Sequence, residues 1–161
     1  MKNKIILNVP SSDVFNYICS EFINEYEKRK KVKLEIKNIK PGLTYAKAIG
    51  RDKKTKTISM ATVKLLKYKY PYEYSFEYES NTYYRVTEIK ITPLNENKCE
   101  LLIMNYQEKL KNGSKHKDYS FDNDEIDKMS IVQRLQYLSM ERQIKKGRKS
   151  CSVKETKWFN D

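Results

Sequence analysis

Tyr72-Glu73-Tyr74-Ser75-Phe76-Glu77-Tyr78-Glu79 sets a ring at every second position and a polar residue between. A strict period of two marks a strand with one dry face and one wet face. The dry face carries four aromatic side chains in a row, in a chain that holds 13 Tyr. Such a wall implies a curved sheet wrapped around either a helix or a ligand.

The neighbouring segment tests the register. With Asn81-Thr82 as a two-residue hairpin loop, Ser80 pairs with Tyr83, Tyr78 faces Arg85, Phe76 faces Thr87, Tyr74 faces Ile89 and Tyr72 faces Ile91. On the other face Glu73 meets Lys90, a favourable cross-strand pair. A one-residue slip would set the rings against Lys90 and Glu88, so the unslipped register is preferred. The next hairpin turns within Asn95-Glu96-Asn97-Lys98. An even-length loop places Leu102, Met104, Tyr106 and Glu108 inside, with Glu108 opposite Arg85; an odd-length loop places Leu101, Ile103 and Asn105 inside. The even case is favoured because it gives an inward Arg85 an ionic partner, and an unpaired buried Arg is costly.

Residues 4–9 read as a strand and Pro10-Ser11-Ser12-Asp13 as a helix start, with Ser11 or Ser12 as cap. Phe15, Ile18, Phe22 and Tyr26, flanked by Val14 and Cys19, form one apolar face at helical spacing. Lys28-Arg29-Lys30-Lys31 ends that helix, and Lys40-Pro41-Gly42 signals a turn. Strands follow at 44–49, 57–68, 72–79, 83–92 and 99–109, with a charged loop at Arg51–Lys56 and a polar loop opening at Asn112-Gly113-Ser114. A terminal helix is predicted from about Asp124 to Lys146, stopped by Gly147. Its apolar residues Ile126, Met129, Val132, Leu135 and Leu138 drift around the axis, and Ile131, Tyr137, Met140 and Ile144 widen the stripe. That breadth suits a helix gripped on two sides. The order is that of an α+β protein with its helices on one face of a bent antiparallel sheet. Residues 1–146 form one expected domain and 147–161 a basic tail.

At 161 residues the chain suits one domain. The formal charge of +12 invites a polyanion. Most of it is Lys, though, and Arg is the residue of bidentate phosphate and base contacts. Cys19, Cys99 and Cys151 are odd in number and widely spaced, so neither a metal site nor a disulfide framework is expected. Reduced thiols, no signal segment and no apolar run of about 20 residues fit the cytoplasm.

Leu7-Asn8-Val9-Pro10 followed by Phe15 on a helix resembles the opening of the START and birch-pollen-allergen superfamily. Gly42-Leu43-Thr44-Tyr45, Asn81-Thr82-Tyr83 and Thr92-Pro93-Leu94-Asn95-Glu96-Asn97-Lys98 make the chain most similar to the bacterial family called domain of unknown function 3284. The resemblance spans residues 4–146. It implies a helix-grip fold, a curved antiparallel sheet around a long C-terminal helix, whose groove often takes lipids or other apolar molecules. The loop near Lys53, the tail after Gly147 and the single helix between the first two strands depart from the pattern. No catalytic residue carries over.

The expected cavity wall is Tyr74, Phe76, Tyr78, Ile89, Met104, Tyr106, Met129 and Leu135, although the same side chains would equally serve a filled core. Arg85 and Glu108 are the candidate polar anchor, Arg85 meeting a carboxylate or phosphate while Glu108 holds its fork; alternatively they are a structural pair. His116, between Lys115 and Lys117, is expected to be solvated, and nothing around it forms a catalytic arrangement. The expected function is non-enzymatic binding of a small or medium apolar or lipid-like molecule, without cofactor or metal. The alternatives are a basic module binding nucleic acid or another polyanion, and a packed structural or partner-binding domain.

Overall fold

The computed structural model describes residues 1–111, 114–122 and 125–150. In chain order the elements are β1 (Lys2–Leu7), α1 (Ser11–Lys30), a 3-10 turn (Ile36–Asn38), β2 (Thr44–Arg51), β3 (Ile58–Lys69), β4 (Glu73–Glu79), β5 (Tyr83–Asn95), β6 (Lys98–Lys109) and α2 (Ile131–Ser150). The strands make one antiparallel sheet in the order β1-β6-β5-β4-β3-β2. Bulges at Ile49, Leu66 and Leu94 interrupt the ladders, and each adds bend and twist to its strand. With α1 and α2 against its inner face, this curved open sheet is a helix-grip fold.

The β4–β5 register is the expected one from Glu73 to Glu79: Tyr78 opposes Arg85, Phe76 opposes Thr87 and Tyr74 opposes Ile89. Tyr72, expected as the fourth ring of the dry face, instead precedes the strand and is 53% exposed. Glu73 and Lys90 also stand opposite each other. Their charges turn aside, however, Glu73 to Lys69 at 3.8 Å and Lys90 to Glu88 at 3.9 Å.

The β5–β6 hairpin overturns an expectation. Asn95 does pair with Lys98 across a two-residue loop, the favoured even length. The Leu94 bulge then shifts the ladder by one, so Pro93 opposes Cys99 and Arg85 opposes Gln107. Leu101 and Ile103 therefore face inward and are buried, while Met104, Tyr106 and Glu108 lie on the outer face. The aliphatic pair gains more from burial than one ion pair can return after desolvation.

The α1 helix begins after Pro10, which offers no side-chain cap, so neither Ser11 nor Ser12 has the expected role. Its buried face is Val14, Phe15, Asn16, Cys19 and Phe22. Phe15 is fully buried and meets Tyr68, Tyr70 and Tyr74 edge-on, with ring centroids at 5.2, 5.3 and 6.4 Å. It nails α1 to the sheet.

The α2 helix starts later than predicted and runs through Gly147 instead of stopping there. Ser130 and Gln133 form a capping box: Ser130 Oγ accepts from the Gln133 amide at 3.2 Å, and Gln133 Oε1 accepts from the Ser130 amide at 3.3 Å. Before it, the chain runs beside edge strand β1, where the Asp127 amide donates to the Lys2 carbonyl at 2.7 Å. That contact covers part of an exposed strand edge. Met140 and Ile144 are buried against the core, whereas Ile131, Val132 and Leu135 are exposed. The grip on α2 falls on its middle, from Tyr137 to Ile144. Asn112, Gly113, Asp124 and Cys151, which figure in the sequence expectations, lie outside the described residues.

Candidate functional site

Between α1, the inner face of the sheet and the middle of α2 lies a cavity of about 510 Å³, partly open to solvent. That is within the ~300–1,000 Å³ usual for small-molecule sites. The sheet contributes Tyr45 and Lys47 from β2, Val63 from β3, Tyr74, Phe76 and Tyr78 from β4, and Arg85 and Ile89 from β5. The α1 helix contributes Tyr17, Ile18, Ser20, Glu21 and Phe22; Tyr137 and Met140 come from α2.

Five of the ten predicted site residues line this space: Tyr74, Phe76, Tyr78, Ile89 and Arg85. The other five do not. Met104, Tyr106 and Glu108 point to the opposite face because of the Leu94 bulge. Leu135 is 58% exposed, in the part of α2 before its contact with the core. Met129 precedes the helix and packs against the core without reaching the cavity. Of the residues missed from α1, Ile18 and Phe22 sit on the apolar stripe, which was the available signal, whereas Tyr17, Ser20 and Glu21 lie off it and carried none. Lys47 was missed because a lone Lys in a short strand looks like an outward residue; it shares the inner face with Tyr45.

The wall is an edge-and-face aromatic array. Tyr74 and Phe76 have ring centroids 5.7 Å apart, and Phe22 and Tyr45 are 5.3 Å apart. Burial raises the Tyr45 phenol to about 12, helped by the negative charges of Glu25 and Glu21. It holds Tyr74 well above the ordinary phenol range. Burial also pushes the Cys19 thiol beneath them far up, which leaves it neutral and unreactive. At neutral pH the charged side chains lining the cavity are therefore Glu21, Lys47 and Arg85.

The Arg85 guanidinium carbon lies 5.9 Å from the Phe76 ring centroid and 5.7 Å from that of Tyr78, within cation–π range. The Lys47 ammonium stands 5.6 Å from the same Tyr78 ring. Arg85 Nε is buried and has no hydrogen-bond partner. Its expected partner is engaged elsewhere: the Glu108 carboxylate accepts from the Tyr106 hydroxyl at 2.9 Å and the Lys117 amide at 3.0 Å. Those bonds hold the Glu108 carboxyl below its usual range, the Lys117 amide contributing most.

The outer face is also covered, by residues 114–122. His116 stacks flat on Tyr84 at 3.7 Å with 5° between the planes, and Tyr119 stacks on Tyr106 at 5.2 Å. Tyr84, almost fully buried, donates its hydroxyl to Glu77 at 2.9 Å. His116 is thus half-buried in a structural stack, not solvated as expected. Among the described residues, no group of His, Cys, Asp and Glu is placed to hold a metal ion.

Residues 1–121 match the family model described as domain of unknown function (DUF3284). No curated protein matches the chain. A conserved protein from Geobacillus kaustophilus is similar in structure, with 15% identity, 91% of this chain and 95% of that chain covered, and a TM-score of 0.49. A START superfamily protein from Mycobacterium smegmatis shows 10% identity, coverage of 92% and 94%, and a TM-score of 0.40. The Zhui aromatase/cyclase from Streptomyces sp. R1128 shows 9% identity, coverage of 98% and 96%, and a TM-score of 0.41.

Proposed function

The chain belongs to the DUF3284 family, and from that starting point we propose that it is a binding protein for a small or medium apolar molecule, held without catalysis between the sheet and its two helices. The supporting observation is the cavity of about 510 Å³ with Tyr74, Phe76 and Tyr78 along one side. A core with only a packing role would be filled, since protein interiors close to near-crystalline density. Neutral phenols along the wall can orient a polar group while the rings bury the apolar body. Met140 supplies an adaptable surface opposite them.

No helix among the described residues is long and apolar enough to cross a membrane. Buried, unpaired Cys19 and Cys99 fit a protein working in the reducing cytoplasm. The binding unit is one domain whose last element is α2, with the basic tail beyond it.

Native mass spectrometry of protein purified from its own host tests this reading. The expected result is a co-purifying mass of small-molecule size that is lost on denaturation. Repeated preparations that show the bare chain alone would count against it.

A further inference from the structure

We infer that the molecule bound in this cavity carries an acidic group, which Arg85 and Lys47 hold beside the Tyr78 ring. The inference rests on the cavity being the binding site, as proposed above, and adds the chemical class of what it takes: an organic monoanion with a flat apolar body.

Two cations converge on one ring. The Lys47 ammonium and the Arg85 guanidinium each stand within 6 Å of the Tyr78 centroid. They reach the ring from strands on either side of β4, each brings a positive charge to the cavity lining, and a partly desolvated cation is stabilised by an acid within reach. The protein does not supply it. Glu108, the acid that a ladder without the Leu94 bulge would set opposite Arg85, faces outward and is bonded to Tyr106 and Lys117. Gln107 stands opposite Arg85 instead. Glu21 lines the cavity but makes no ion pair with Lys47 or Arg85; its charge is felt at Tyr45 and Tyr74. Burial holds Tyr45 and Tyr74 protonated.

Arg85 Nε is the second observation. The Arg85 side chain lines the cavity wall, and its Nε is buried without an acceptor. Native proteins seldom leave such a donor unmatched. The guanidinium within cation–π reach of Phe76 and Tyr78 carries a planar fork that suits a carboxylate, sulfonate or phosphate. Lys47 adds a point charge without geometric demand. The surrounding rings select an apolar, flat remainder.

Two fluorescent probes that differ by one group make the test: anilinonaphthalene sulfonate, an anion, and phenylnaphthylamine, the same skeleton without its sulfonate. Titrations are run at about 0.15 M salt, where the long-range field of the basic surface is screened. Arg85→Gln is expected to weaken the sulfonate by about tenfold or more and the neutral probe by about twofold at most. Lys47→Gln is expected to act in the same direction and less strongly. Arg85→Lys should restore part of the loss, and it carries the test should Arg85→Gln not fold. Lys54→Gln removes the same charge from an exposed loop and should change neither probe. Equal losses for both probes with Arg85→Gln, or a sulfonate loss matched by Lys54→Gln, would overturn the acidic anchor and leave the cavity reading standing. Ser20→Trp, which fills the cavity from α1, separates the two ideas. If it fails to weaken either probe, the cavity is not the site and both readings fall.

Discussion

A tyrosine is an apolar ring with one polar atom, and this chain treats that atom differently on the two faces of its sheet. On the outer face Tyr84 and Tyr106 donate to Glu77 and Glu108. Inside, Tyr45 and Tyr68 are both raised to about 12, chiefly by burial. An unfolded phenol titrates near ~10, so the fold favours the protonated form. Stability from these two residues is present in full below about pH 10 and is lost as pH rises toward 12. Urea midpoints followed from about pH 8 to 11 should therefore fall, and Tyr45→Phe with Tyr68→Phe should flatten the decline; an unchanged slope would refute this. Tyr84→Phe should cost about 1 kcal/mol, because Glu77 keeps some access to solvent after losing the bond. The inner rings could be read from their alternation alone. The Tyr84–His116 stack could not, since it depends on a loop distant in sequence folding back across the sheet.

Elements differ in how openly they announce themselves. The α1 helix was plain because its apolar face repeats at helical spacing over about three turns. Phe15→Ala should cost about 3–5 kcal/mol in a denaturant titration, since it removes three ring contacts and leaves a void. The α2 helix was harder to delimit. Its apolar stripe extends back to Ile126, so periodicity alone placed the start too early. The stronger signal was Ser130-Ile131-Val132-Gln133, the spacing of a capping box. Ser130→Ala should lower stability by about 1 kcal/mol. Circular dichroism should show the accompanying loss at the first turn of α2, because tertiary contacts there are few and Ile131, Val132 and Leu135 lie exposed. The start of α1 misled in the opposite way. Two serines stood where a cap is common, yet the helix begins behind a proline that has no side-chain acceptor to offer.

At the scale of the whole molecule, charge and fold give separate messages. The formal charge is +12, and Lys53, Lys54 and Lys56 are exposed on the β2–β3 loop. Binding to heparin or duplex DNA is accordingly expected at low salt and should vanish by about 0.2 M, as counterion release requires. Retention above that would promote the polyanion reading over the cavity. Helices on one face of a bent antiparallel sheet were readable from the order of elements and the Asn81-Thr82 hairpin, and the resemblance in sequence implied the helix grip. The face presented by β6 was not, because the turn length was inferred correctly and a bulge beyond it reversed the result. Leu94 thus acts as a parity bit for the last strand. Losing that one codon would exchange the two sides of β6, turning Tyr106 and Glu108 toward the aromatic wall and evicting Leu101 and Ile103. A different interior chemistry stands a single indel away, and the chief barrier against that swap is the cost of putting two aliphatic side chains into water.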